Sequence, residues 1–129
     1  MKILDSSYCA DFLRGRDHAR RYRLDNESVD LVLPSIGFYE LYHGAVKIGR
    51  DPREVDQDLP WVSRLAYDDD HAREAARIRR ELEDEGGRLQ HPDMMIAGVA
   101  RSLDAPVVTA DGGFERIDGL GVENTREMY

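Results

Sequence analysis

Apolar and polar positions along this chain switch between two periods, and the switching predicts short strands separated by helices. Lys2-Ile3-Leu4-Asp5 is an apolar run closed by an acid, which predicts a buried strand. Ser6 or Ser7 then suits the N-cap of a helix to about Arg14. Val29 to Leu33 is aliphatic and β-branched, a second strand that Pro34 stops before Ser35 caps a helix to about Ile48. Gly49-Arg50-Asp51-Pro52 breaks the pattern, with Asp51 as a cap and Pro52 at the first position of a helix to about Ser63. A short third strand over 64–67 precedes a long helix over 68–85, where Ala72, Ala75, Ala76, Ile78 and Leu82 recur at near-helical spacing and Gly86-Gly87 ends the run. Pro92 opens another helix with Met95, Ile96, Val99, Ala100 and Leu103 on its apolar side. Asp104-Ala105 turns the chain into a fourth strand over 106–109. A glycine-containing turn over 111–114 and an edge strand over 121–123 complete the pattern.

Strands alternating with helices throughout predict an α/β fold with a mostly parallel sheet and helices on both faces, because parallel neighbours need crossover connections. The 129 residues suffice for one core and contain no repeat, linker or low-complexity tract, so residues 1–129 are expected to form a single domain. No run of about 18 apolar residues occurs, and Asp5 interrupts the N-terminus too early for a signal-peptide apolar segment. A cytoplasmic protein without membrane contact is expected. Cys9 is the only cysteine, which excludes an internal disulfide and a cysteine-based zinc site and suits a small buried hydrophobe. His18, His43, His71 and His91 show no paired metal spacing and read as structural or surface residues.

Charge complicates the picture. Asp and Glu number 26 against 18 Lys and Arg, a net charge of −8, whereas a nucleic-acid binder is expected to carry a basic footprint. The basic residues are almost all Arg, with Lys only at positions 2 and 47, and Asp outnumbers Glu. That combination resembles proteins of salt-loving organisms, a halophilic archaeon being the expected source, and net charge speaks to solubility more than to fold. Arg14, Arg16, Arg20, Arg21 and Arg23 form the densest positive cluster, either a solvated helix face paired with Asp17 and Asp25 or a contact for RNA.

Four acids carry the candidate chemistry. In an open α/β sheet a ligand sits outside the carboxyl ends of the strands, and Asp5 and Asp111 both follow such ends. Each alone also suits a cap or a turn. Asp93 falls in the first turn of its helix, where it complements the dipole, and the small Ala97 and Gly98 would let that helix approach the sheet and bring Asp93 near Asp5. Glu40 is the anomaly, a lone acid in the largely apolar segment Ile36 to Ile48, costly to bury unless neutralised. A hard divalent cation with oxygen ligands would explain their convergence, would polarise a phosphodiester oxygen and would lower the pKa of bound water. Ser6, Ser7 and Thr109 flank the acids and could orient water or a phosphate oxygen, with helix capping an equal explanation for the serines.

Asp5-Ser6-Ser7 after the first strand, Ser35 followed by Glu40-Leu41 and Gly44, the Pro92-Asp93 block with Ile96-Ala97, and Thr109 and Asp111 followed by Phe114, Ile117, Gly119-Leu120 and Val122-Glu123 together resemble the PIN domain of VapC-type toxins. Each motif is weak alone, but the ordered set spans nearly the whole chain. The resemblance implies a three-layer α/β/α sandwich with four to five strands, and a Mg²⁺- or Mn²⁺-dependent endoribonuclease whose ligands are Asp5, Glu40, Asp93 and Asp111. It also implies a homodimer held inactive by a VapB-type antitoxin. Gly112-Gly113 departs from relatives that carry polar residues there, which puts a fifth ligand in doubt. The alternative is a catalytically silent PIN-like or flavodoxin-like signalling module, but paired acids after strand one and a lysine near the last strand are missing. A dinucleotide fold and a D-x-D phosphatase fail on the absent glycine motif and on Ser7.

Overall fold

The computed structural model describes residues 1–129. Strands β1 (Lys2–Leu4), β2 (Leu31–Pro34), β3 (Ser63–Leu65), β4 (Val107–Thr109) and β5 (Val122–Asn124) form one sheet in the order β3-β2-β1-β4-β5. Every neighbouring pair is parallel, so the expected mostly parallel sheet is wholly parallel. Helices α1 (Ser6–Leu13), α2 (Asp17–Asp25), α3 (Ser35–Lys47), α4 (Arg53–Asp58), α5 (Asp69–Asp84), α6 (His91–Ser102) and α7 (Thr125–Met128) connect and flank the strands.

The three layers follow from the period of two in the central strands. Leu4, Leu33 and Val108 join one core with Tyr8 and Cys9 of α1, Tyr22 of α2 and Phe38 and Leu41 of α3. Ile3, Val32 and Val107 point to the other face and pack with Ile78 and Leu82 of α5 and Ile96 and Val99 of α6. Adjacent residues of one strand thus feed opposite cores, which is why these strands are apolar throughout. Cys9 is fully buried, as expected.

Gly98 does not serve the sheet, contrary to the sequence expectation. A Cβ there would lie 2.7 Å from the His71 carbonyl oxygen and 2.8 Å from Ala75 Cβ, so the missing side chain lets α6 press against α5. His71 itself is buried and completes a reciprocal cap with Asp68, whose carboxylate accepts from the His71 N–H at 3.1 Å.

Element ends shift for local reasons. Val29 N donates to the Asn26 carbonyl at 3.0 Å, which keeps Val29 in the turn after α2 and starts β2 at Leu31. Pro34 belongs to β2 and occupies the cap position; Ser35 is the first helical residue, and its hydroxyl donates to the Leu65 carbonyl at 3.2 Å rather than capping. Helix α4 stops at Asp58 because Leu59 precedes a proline, and β3 uses the freed residues from Ser63. Helix α7 and a single 3₁₀ turn at Phe114–Arg116 were not expected.

Sheet order places the site. From β1 the chain steps outward to β2 and β3, then returns across the sheet through α5 and α6 to β4 on the other side of β1. The carboxyl ends of β1 and β4 therefore flank the point where strand order reverses, which leaves a crevice.

Candidate metal centre

Asp5 occupies the N-cap position of α1, yet its side chain caps nothing. Its own N–H donates to the Val108 carbonyl at 2.8 Å, which continues the sheet one residue past β1 and fixes the backbone. Ser7 Oγ donates to Asp5 Oδ2 at 2.6 Å and Thr109 Oγ1 to the same oxygen at 3.0 Å. Both hydroxyls are themselves held, Ser7 Oγ by the Ala110 N–H and Thr109 Oγ1 by the Asp111 N–H, each at 3.0 Å. The serines of the first turn are thus side-chain supports, and the capping explanation for them falls away. Asp5 is only 3% exposed, and its second oxygen, Oδ1, is buried without any hydrogen-bond partner. Burial pushes the Asp5 carboxyl above its ordinary range, the hydroxyls of Ser7 and Thr109 oppose this, and the charge of Asp111 adds to it.

The other acids come from three different elements. Glu40, in the middle of α3, is partly buried and accepts from Ser6 Oγ at 2.8 Å. Burial raises its pKa, the Ser6 hydroxyl lowers it and the Asp5 charge raises it again, with a net upward shift. Asp93, in the first turn of α6, is pushed up to about 7, first by burial and then by the charges of Asp5, Glu40 and Asp111. Asp111 is exposed on the loop after β4. All four line one cleft of about 800 Å³, so the structure brings together the whole set expected from the sequence, with Ser6 and Ser7 beside them and Thr109 beneath Asp5.

A partnerless buried carboxylate oxygen and an acid raised to about 7, first by burial and then by three like charges, describe a site short of positive charge. The donor set is all oxygen, which fits a hard divalent cation such as Mg²⁺ or Mn²⁺. No three of the carboxyl-, imidazole- or thiol-bearing side chains are drawn tightly enough to close on a single ion as they stand. Direct ligation would therefore come from a pair of carboxylates, with the others reached through water, the manner in which Mg²⁺ is ordinarily held.

Further residues line the cleft that the sequence reading did not assign to it, among them Asp11, Arg14, Arg50 and Arg126. Ser7, Ala10, Asp11 and Arg14 recur at i, i+3, i+4 and i+7 on α1, a helical face that could have been read as the cleft wall once Asp5 was suspected. Of the five clustered arginines only Arg14 reaches the cleft. Arg21 pairs with Asp17 at 3.7 Å and lies over Tyr129, and Arg23 lies over the Trp61 ring, which makes the solvated and packed face the better description of these two. His18 is neither a ligand nor a free surface residue: its Nε2 is 2.8 Å from Asp11 Oδ2.

Residues 2–120 match the family model of the PIN domain. The tRNA(fMet)-specific endonuclease VapC of Shigella flexneri is 32% identical over 126 residues, covering 95% of this chain and 96% of that protein. Ribonuclease VapC5 of Mycobacterium tuberculosis is 46% identical over 55 residues, which cover 43% of this chain and 41% of that protein. The crystal structure of DNA-bound VapBC from Salmonella typhimurium contains a chain that is 31% identical with a TM-score of 0.83, over 97% of this chain and 99% of that one.

Proposed function

Because this chain belongs to the PIN-domain family, among its VapC proteins, we propose that it is a metal-dependent endoribonuclease and the toxin of a VapBC-type toxin–antitoxin pair. The observation that carries the reading is the Asp5 cradle. A carboxylate is locked by two hydroxyls on one oxygen and left bare and buried on the other, and its residue lines a cleft shared with three more acids.

Asp5, Glu40, Asp93 and Asp111 would hold Mg²⁺ or Mn²⁺. When bound, the cation supplies a water of lowered pKa and a positive charge against the phosphodiester oxygen. The residues of the chain do the positioning. Ser7 and Thr109 orient the Asp5 carboxylate, and Ser6 fixes the Glu40 carboxylate, so neither has to reorganise when a substrate arrives. Asp93 carries the proton in the metal-free site below about pH 7 and gives it up when the cleft is charged.

RNA is the substrate class, supported by the ribonuclease and tRNA endonuclease names of its relatives. A VapB-type antitoxin is the expected protein partner, supported by the VapBC neighbour and by an apolar rim of Leu13, Leu41, Ala45, Ile48 and Val55 beside the acids. Exposed Tyr39 and Val46 on α3 support a second copy of the chain as a further partner in a homodimer. No helix is long and apolar enough to cross a membrane. The cytoplasm, where an RNA-cleaving toxin meets its substrate, is the proposed location. The Asp and Arg bias supports a salt-loving source.

The test is cleavage of RNA by purified protein with Mg²⁺ or Mn²⁺ against EDTA. Cleavage should require metal and should vanish in Asp5→Asn and Asp93→Asn while circular dichroism stays unchanged. Undiminished cleavage by both folded variants would refute the assignment.

A further inference from the structure

Arg126 stands on α7 and lines the same cleft as the four acids, together with Asp11 and Arg14. Its guanidinium is held along one edge. Nε donates to Asp11 Oδ2 at 3.0 Å, and Nη2 lies 2.8 Å from the same oxygen. Asp11 is buried at 2% exposure, and Oδ2 is also 2.8 Å from His18 Nε2, whose Nδ1 lies 2.9 Å from Thr125 Oγ1. Burial pushes the Asp11 carboxyl up, but hydrogen bonds from Arg126 and His18 outweigh it and hold the group below the usual carboxylate range. Asn124 accepts from the Arg126 N–H at 3.1 Å and donates to the Asp111 carbonyl at 3.3 Å, so the helix bearing Arg126 is fastened to the loop bearing the fourth acid.

Despite this anchoring the Arg126 side chain is 55% exposed, and Nη1 makes no hydrogen bond within the protein. A guanidinium fixed on its Nε and Nη2 edge has lost its rotamer freedom before any ligand arrives, and its open end suits two phosphate oxygens. Asp11 does not need Arg126 to avoid isolation, since His18 already bonds Oδ2 and Arg14 Nη1 stands 3.6 Å from Oδ1. Position matters as well: a polyanion entering a cleft lined by four carboxylates meets repulsion, and a fixed cation at its wall offsets it.

We infer that Arg126 grips a backbone phosphate of the single-stranded RNA beside the cleaved bond, with Asp11 as the positioning residue that aims it. This rests on the ribonuclease reading and adds a binding residue to it. The experiment measures binding of a short fluorescein-labelled single-stranded oligoribonucleotide by anisotropy in EDTA over a NaCl series, alongside steady-state cleavage with Mn²⁺ and thermal melting. In Arg126→Ala the slope of log K against log salt should become shallower by about 0.7, the loss of one phosphate contact. KM should rise about tenfold, and kcat should stay within about twofold. Arg126→Lys keeps the charge without the fork, so it should restore the slope and leave KM between the two. A slope and KM unchanged in both variants would overturn the inference. So would an alanine variant whose only defect is a lower melting temperature that lysine repairs. Failure of the ribonuclease reading is a separate outcome, since metal-dependent cleavage would then be missing in the wild type, while the EDTA titration still reads the Arg126 contact.

Discussion

Asp93 offers the sharpest quantitative test, because burial and then the charges of Asp5, Glu40 and Asp111 all raise its pKa. Its carboxyl lies near 7 in the metal-free protein against an ordinary 3.8. At about 1.36 kcal/mol per pKa unit, that distance corresponds to roughly 4 kcal/mol of extra cost for ionising the group in the folded chain. The cleft is open to water and Asp93 is only partly buried, so screening reduces this to about 2 kcal/mol. The sign follows from proton counting. Between about pH 4 and pH 7 the folded chain holds a proton on Asp93 that the unfolded chain has lost, so stability falls with rising pH across that window and the full penalty is present above it. Denaturant unfolding in EDTA at pH 5 and pH 8 would measure it. Wild type should lose about 1 kcal/mol more than Asp93→Asn over that step, the share of the penalty that falls above pH 5, and the variant should be the more stable of the two at pH 8. Mn²⁺ should reverse the order at pH 8, since only the wild type gains a ligand charge for the ion. Parallel pH curves for the two proteins, or a variant less stable at pH 8 in EDTA, would refute the claim that four acids share one field.

Other expectations follow from the same geometry. Proton and cation compete for Asp93, so the apparent Mn²⁺ affinity by isothermal titration should fall about tenfold per pH unit below 7, and a flat profile would contradict the site. Ser7→Ala removes a donor to Asp5 and strands the Ala110 N–H; cleavage should drop ten- to a hundredfold with a stability loss of about 1 kcal/mol by denaturant titration. Gly98→Ala drives a methyl into the His71 carbonyl and should cost about 2 kcal/mol by thermal melting, without changing metal affinity once folded. With a net charge of −8, the protein should melt higher in molar NaCl than in dilute buffer, and an unchanged melting temperature would count against a salt-adapted surface.

The parts legible in the sequence were those where a local pattern and a long-range role coincide. Asp5 and Asp111 follow the ends of adjacent central strands, so a topological rule located them before any contact was known. Glu40 stood out because its helix is otherwise apolar. What escaped was decided by tertiary contact. Helix α7 is four residues long, too short for any periodicity, and it is held by the bonds of Thr125 and Arg126 to residues more than a hundred positions away. Helix α2 buries only Ala19 and Tyr22 among charged residues, a thin stripe that reads as a solvated face. Strand β3 was expected over 64–67, but its start at Ser63 and its end at Leu65 are set by the ladder that β2 offers at the sheet edge. The close approach of Gly98 was read from its size, but size alone names no partner, and the partner proved to be α5.

The acidic balance of the chain and an RNA substrate become compatible once charge is counted by place. Along α5 the arginines are neutralised locally, Arg73 by Asp70, Arg77 by Glu74 and Arg80 by Asp84, so these arginines offer little attraction to a polyanion. The four acids of the cleft have no such arginine partners, and one divalent cation cancels two of their charges at the point where a phosphodiester must bind. Beside them Arg126 is fixed and open at one end, while Arg14 is 65% exposed. Charge of the sign RNA needs is therefore concentrated where it is useful and supplied in part by the metal. It follows that RNA affinity should depend on the divalent ion as well as on the arginines, so that a net charge computed for the bare chain understates how receptive the loaded cleft is.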